Sequence, residues 1–280
     1  MLAVFTLVYV SLRSGRNAQF GGFGDKIGIV DLEGMILTPK ETVKQLRRFQ
    51  DDASIKAIIL HINSPGGGAA ASEEIYREVR RIRETKKKPI VASIETMGAS
   101  GAYYAAAGTN KIFADNASIV GSIGVIAQWF NYGDLLRWAK LKEVVLKAGE
   151  FKDTGDPARE LTPAERQYLQ GMIDDMHEQF IRAVADGRNM KVEDIKAIAN
   201  GRVWTGQQAV AIKLVDQIGD FRAAIEDTAK AAGIKGEPSL IRAEKEKRTL
   251  LDLIFGDVTD LLPDPAKLAQ KNMGFYFLWK

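Results

Sequence analysis

No cysteine occurs anywhere in the 280-residue chain. That absence removes thiol nucleophiles, disulfides and cysteine-ligated zinc together. It leaves the compartment open, because a chain without thiols is indifferent to an oxidising environment. Histidine is scarce too: His61 and His177 are the only two, too few for a histidine-built metal site, so neither metal nor cofactor is expected. Charge of one sign is not in excess. The 39 Lys and Arg against 36 Asp and Glu leave +3, a balance that names no nucleic-acid partner. The basic runs Lys86-Lys87-Lys88 and Lys245 to Arg248 read as solvated helix ends and loops. A long hydrophobic run is also missing. The opening MLAVFTLVYVSL is apolar and uncharged, but a membrane-spanning helix needs about 20 such residues. It also lacks the basic flank of a secretory signal. It reads as the trailing part of an anchor, in preference to a short signal-like core or a packed segment. Arg13 to Asp25 reads as a linker.

Glycine is plentiful at 26 residues, and tight turns and close backbone approaches follow from that. From Lys26 onward apolar runs alternate with helical segments. KIGIVDLEG, KAIILHIN, PIVASIE, SIVGSIGVIAQ and EVVLKAG read as strands, several of them nearly continuous in apolar residues as buried parallel strands are. Between them, Glu41 to Asp52, Ala69 to Lys86 and Ala99 to Gly108 read as helices, with Ile75, Val79 and Ile82 on one stripe of the second. This alternation predicts an α/β domain with a mostly parallel sheet. After Leu161 the chain turns mainly helical, starting at Thr162 (N-cap), Pro163 (N1) and Glu165 (N3). The expected organisation is a hydrophobic segment 1–12, a linker 13–25, a catalytic domain 26–225 and a C-terminal region 226–280. That last region holds LLDLIF, a break at Leu262-Pro263-Asp264-Pro265 and the aromatic end GFYFLWK. A membrane surface, a neighbouring subunit and the chain's own domain are all open as its contacts.

Four clusters carry candidate chemistry. Asn63-Ser64-Pro65-Gly66-Gly67-Gly68 follows a buried strand and precedes a helix. Its glycines can aim N–H groups inward, as an oxyanion hole or a phosphate cradle requires. No Gly-Lys-Ser/Thr follows, so it is not a P-loop, and a plain Pro-Gly turn is the alternative. In Met97-Gly98-Ala99-Ser100-Gly101-Ala102-Tyr103-Tyr104 a serine stands at a strand-to-helix junction between small neighbours. It suits a nucleophile and equally a helix cap. Its glycines do not flank it as in the hydrolase elbow Gly-x-Ser-x-Gly. Gly149-Glu150-Phe151-Lys152-Asp153 holds a lysine that alone reads as a surface charge. Val120-Gly121-Ser122-Ile123-Gly124-Val125 holds a serine that alone reads as a buried hydroxyl in need of a partner.

Together and in this order, NSPGGG, MGASGAYY, VGSIGVI and KAGEFKD followed by LTPAERQYLQ resemble signal peptide peptidase A, a bacterial Ser/Lys peptidase family of the Clp-protease/crotonase fold. The resemblance runs from about Lys26 to about Phe221. It implies a repeated β-β-α superhelix, Ser100 as nucleophile and Lys152, 52 positions on, as general base. It further implies Ser122 as the hydroxyl that orients the lysine, and the Gly67 N–H in the oxyanion hole; Gly101 N–H is a second expected donor. It implies remnant signal peptides as substrates and a homo-oligomer whose sites combine serine and lysine from adjacent protomers. The implied location is the outer face of the bacterial inner membrane. A lysine base must be neutral to act, which desolvation favours. Lys152 is therefore expected to be buried once the site is assembled, with Glu150 and Asp153 turned away from it. Three other readings compete: a Ser-His-Asp hydrolase using His61 or His177, a crotonase-like acyl-CoA enzyme, and a scaffold without activity.

Overall fold

A computed structural model describes residues 25–86, 88–243 and 275–279 of the chain. The N-terminal hydrophobic segment, the linker up to residue 24, the basic run after residue 244, LLDLIF and the proline break lie outside the described residues.

The strand-helix alternation is present. In chain order the first elements are β1 (Lys26–Glu33), α1 (Lys40–Asp51), β2 (Ile55–Ser64), β3 (Gly66–Gly68) and α2 (Ala69–Arg81). A π-helical turn over Ile82–Lys86 extends α2 and leads to β4 (Ile90–Ala99), α3 (Gly101–Ala107), β5 (Lys111–Ala114), β6 (Ile119–Gly121) and β7 (Ile126–Ala127). Then come α4 (Gly133–Trp138), α5 (Pro163–Gly187), α6 (Val192–Ile198), β8 (Val203–Thr205) and α7 (Gly206–Ala211). The last are β9 (Gln217–Ile218), α8 (Phe221–Ala231), β10 (Ser239–Arg242) and β11 (Phe275–Leu278).

The main sheet runs β10-β1-β2-β4-β5-β9, every neighbouring pair parallel. Both faces of β1 and β2 are covered, which is why they read as near-continuous apolar runs. Successive side chains point to opposite faces. Ile58, Leu60 and Ile62 pack with Leu46 and Phe49 of α1 and Ile75 and Val79 of α2. Ile27, Ile29, Ala57 and Ile59 pack beneath Phe221, Ile225 and Ala229 of α8. β4 is long enough to serve two partners: Val91–Ile94 pair with β5, while Met97–Ala99 pair with β6. This brings the C-terminal ends of β2, β4 and β6 together, the usual place for a site in a parallel sheet.

Two expected strands differ. SIVGSIGVIAQ is broken into β6 and β7 because Ser122 takes φ 53°, which interrupts the extended backbone. EVVLKAG is not a strand: residues 141–147 have no regular structure and are exposed. Its apolar, β-branched run is exposed and pairs with no strand among the described residues. The capping box at the start of α5 forms as expected. Thr162 Oγ1 accepts from Glu165 N–H at 3.2 Å, and the Glu165 carboxylate accepts from Thr162 N–H at 2.8 Å.

Candidate active site

The glycine loop is knotted from beneath. Ser64, fully buried at the end of β2, donates to Gly34 O at 2.6 Å and accepts from Gly66 N–H at 3.1 Å. Gly66 needs its missing side chain, for it sits at φ +95° where L-residues are strained. On one side Ile36 holds the loop: its N–H donates to Gly66 O at 2.9 Å, and Gly68 N–H donates to Ile36 O at 2.8 Å. In an extended chain a residue's own N–H and C=O point opposite to those of its neighbours' inward groups. Gly67 therefore turns its N–H away from Ile36, toward the groove beside β3.

Ser100 closes β4 and opens α3. Its backbone stands at φ 53°, ψ −120°, an unusual conformation for a non-glycine residue. Two hydrogen bonds hold it there: Ser100 N–H to Gly121 O at 2.7 Å, and Tyr104 N–H to Ser100 O at 2.8 Å. The side chain makes no capping bond, so the helix-cap reading fails. Ser100 is 1% exposed and its Oγ is buried without a hydrogen-bond partner. A strained, buried, unpartnered hydroxyl calls for a functional explanation. Gly101 follows with no room for a side chain, since a methyl there would lie 2.2 Å from Ser72 Oγ. Ser72 itself donates to Gly68 O at 2.9 Å, tying α2 to the glycine loop.

Ser122 is buried, and its N–H donates to Arg202 O at 2.9 Å. It lines a cavity of about 510 Å³ with His177, Asn200, Gly201, Leu278 and Trp279. The fold thus gathers Gly67, Ser100, Gly101 and Ser122: Gly67 and Gly101 are both packed around the Phe277 backbone, and the Ser100 amide is bound to Gly121, next to Ser122.

Lys152 is elsewhere. It is exposed on a turn and not hydrogen-bonded to Ser100. Its neighbour Asp153 is fully engaged, with Lys147 Nζ at 2.5 Å and Arg159 Nη2 at 3.1 Å. The hydrogen bond from Lys147, then that from Arg159, holds the Asp153 carboxyl below the ordinary carboxylate range. Arg159 also grips Glu165 with both nitrogens, at 2.5 and 2.8 Å, so the lysine turn is anchored to the start of α5. Arg159 and the Thr162 N–H bring the Glu165 carboxyl down to about 2. A depressed carboxyl stabilises the fold above its ordinary value near 4.5 and loses that contribution as pH falls toward 2. Glu165→Gln keeps a capping group at N3. Its melting temperature is expected to fall less steeply than the wild type's between pH 4.5 and 2, as thermal melts across that range would show.

The segment around Lys152 also exposes Phe130, Leu135, Trp138 (81%), Leu141, Val144 and Leu146 (95%). Large apolar groups left in water in such number mark an interaction surface. Neither histidine is hydrogen-bonded to Ser100 Oγ. His61 Nδ1 lies 3.2 Å from Asp31, and its ring meets that of Phe221 at a 43° tilt with centroids 4.4 Å apart. His177 Nε2 is buried without a partner, facing the Ser122 cavity, a position its charged helix gave no sign of.

The aromatic tail contacts its own domain. β11 lies between β3 and β7, antiparallel to both. The only hint of a strand in GFYFLWK is its unbroken run of aromatic and apolar residues from Phe275 to Trp279.

The profile of peptidase family S49 matches residues 82–235, and that of Clp protease matches residues 31–122. A candidate protease of Methanocaldococcus jannaschii is 32% identical over 91% of this chain and 86% of its own. A candidate signal peptide peptidase SppA of Enterococcus faecium is 38% identical over 66% of this chain and 54% of its own. The chloroplastic serine protease SPPA of Arabidopsis thaliana is 30% identical over 82% of this chain and 34% of its own.

Proposed function

Because the chain belongs to peptidase family S49 and is a serine protease, we propose that Ser100 is its nucleophile and Lys152 its general base, supplied by an adjacent protomer. The observation that supports this most is the pairing of opposites: a buried Ser100 hydroxyl with no partner, and an exposed Lys152 on an apolar arm with nothing covering it. Docking that arm on a second copy buries its hydrophobic surface. It also desolvates the lysine, which favours the neutral amine that a base must be.

Ser100 Oγ attacks the peptide carbonyl and passes its proton to Lys152 Nζ. The oxyanion is met by the N–H groups of Gly67 and Gly101. The lysinium then protonates the leaving amine, and water hydrolyses the acyl-enzyme. Ser122 orients the lysine. The catalytic domain spans 26–225 as a Clp-protease/crotonase-like superhelix, followed by a C-terminal region 226–280 whose β10 and Ala229 pack into the same sheet and core. Remnant signal peptides, one of whose peptidases the Enterococcus relative is named for, are the proposed substrates. The proposed place is the outer face of the bacterial inner membrane; among the described residues no helix is long and apolar enough to cross a membrane. The acyl-CoA and scaffold readings fall with the family.

The test is hydrolysis of a short apolar fluorogenic peptide from pH 6 to 10. Wild-type activity is expected to rise toward alkaline pH as the neutral lysine fraction grows. Ser100→Ala and Lys152→Ala are each expected to lose about 10⁴-fold or more in kcat while folding and assembling normally. Retained activity in Lys152→Ala would remove lysine as the base and bring His177 forward.

A further inference from the structure

We propose that Arg159 is a positioning residue for the general base: its guanidinium fixes the turn that carries Lys152 to the first turn of α5, and so sets where the amine stands and how far it is desolvated. This rests on the assignment of Lys152 as that base.

A lysine cannot place its own amine. Its four-carbon stem is flexible, and Lys152 is exposed on a run of turns, so the backbone must supply the aim. Local hydrogen bonds shape that run: Lys152 N–H to Gly149 O at 3.3 Å, Thr154 N–H to Phe151 O at 3.2 Å and Asp156 N–H to Asp153 O at 3.1 Å. None of them fixes the turn against the rest of the protein. Arg159 does. Its Nη2 donates to Asp153 O at 3.0 Å and lies 3.1 Å from Asp153 Oδ2, on the residue next to Lys152. The same Nη2 and Nη1 reach the two carboxylate oxygens of Glu165 at 2.5 and 2.8 Å, and Nη1 also donates to Glu160 O at 3.0 Å. A planar fork that holds one carboxylate with two nitrogens and a second residue at the same time is a geometry a lysine does not offer.

Glu165 is the fixed post of this clamp. It is buried, and its carboxylate is also held by the Thr162 N–H at 2.8 Å. Arg159 and that N–H bring its carboxyl down to about 2, so the clamp is charged throughout the range in which a lysine base works. Removing Arg159 does more than free the turn. The Asp153 and Glu165 carboxylates touch one and the same nitrogen, and without it two like charges, both largely out of water, push the turn off α5. Lys147, 2.5 Å from Asp153, belongs to the same arm and moves with it. The contacts that remain between the turn and α5 are weaker: the Phe151 and Tyr168 rings 5.2 Å apart, and Thr154 Oγ1 at 3.5 Å from Glu165 Oε1. The charged groups at this junction are Lys147, Glu150, Asp153, Arg159 and Glu160 from the arm and Glu165 from α5. With the turn loose and the guanidinium gone, Lys152 is more fully solvated and keeps its proton to higher pH.

The test is the pH dependence of kcat for Arg159→Met in the full chain, with sedimentation showing that the variant assembles as the wild type does. A misplacement of about 1 Å costs on the order of 10²-fold, so kcat near neutral pH is expected to fall by about that factor with KM unchanged. The rising limb of the profile is expected to move to higher pH, which a mere loss of stability would not cause. Arg159→Lys keeps the charge without the fork and is expected to fall between Arg159→Met and the wild type. In Arg159→Ala, ethylguanidinium below denaturing concentration is expected to raise kcat and return the limb toward its wild-type position, because both carboxylates and the Asp153 carbonyl are free to bind it; ethylammonium is not. Wild-type kcat in Arg159→Met overturns the proposal, as does a slowed enzyme whose limb stays in place, or equal effects of the two added cations. Each of these leaves lysine as the base so long as Lys152→Ala is inactive. Activity retained in Lys152→Ala sinks the base assignment itself, and the positioning role with it. Should Arg159→Met fail to fold by circular dichroism, Arg159→Lys carries the test: a limb moved to higher pH supports the proposal, and a limb at the wild-type position overturns it.

Discussion

Chains carrying Ser100→Ala and chains carrying Lys152→Ala, each inactive alone, are expected to recover hydrolysis when allowed to exchange subunits. The reason is geometric. Within one chain the candidate nucleophile is buried at the end of β4 and its hydroxyl has no partner, while the lysine is exposed on a turn after the exposed segment 141–147. If each site takes its serine from one protomer and its lysine from the next around a closed ring, an equimolar random mixture keeps both in about a quarter of its sites. The measurement is activity per chain in the mixed oligomer, with subunit exchange verified by native mass spectrometry. Verified mixing without recovery means that serine and lysine act within one chain. On the same proposal, the arm is the joint of the assembly. Leu146→Asp, at a side chain left 95% exposed in the single chain, is expected to leave the fold intact. It places a charge in the contact, so sedimentation should shift from oligomer to monomer and activity should be lost with it.

Gly67→Ala is expected to have the second-largest effect, from a single added methyl group. That methyl would stand 2.2 Å from Ile36 O and 2.6 Å from Ile36 N. Both are backbone atoms that no rotamer change can move. Either β3 shifts out of the groove or the segment at Ile36 yields, and in both cases the Gly67 N–H loses its aim. Loss of one oxyanion donor lowers kcat by about 10²–10³-fold, and the forced backbone shift costs about 1–3 kcal/mol of stability. Gly171→Ala is the matched control: the position is exposed inside α5 with nothing within 4 Å of an added methyl. Removing a helix-interior glycine is expected to stabilise by about 0.5–1 kcal/mol and to leave kcat unchanged. Urea denaturation and steady-state kinetics on the two variants separate the steric account from a general intolerance of glycine replacement.

Much of the fold was legible in the chain because the signals are local. KAIILHIN could only be a strand covered on both faces, and its residues now alternate between α1–α2 on one side and α8 on the other. Thr162, Pro163 and Glu165 announced the start of α5 through bonds that span three residues. The glycine loop and the serine junction were visible as motifs, and the fold brings them together because both stand at the C-terminal ends of paired strands. EVVLKAG misled because an apolar β-branched run looks the same whether it is buried in a sheet or left exposed.

What the amino-acid sequence determined by itself was the alternation of elements, the exclusion of thiol and histidine-metal chemistry, and which serines and glycines stood at strand ends. Those follow from composition and from periodicities a few residues long. Only the tertiary structure decided that Ser100 is strained and unpartnered rather than a cap, that Lys152 lies apart from it, and that the last aromatic residues form a strand in the groove. Each of these is a relation between positions far apart in the chain, as when Phe277 is set opposite Gly67. Hydrogen-bond pairing at that separation depends on which edges the folded sheet leaves open, not on any pattern within either segment.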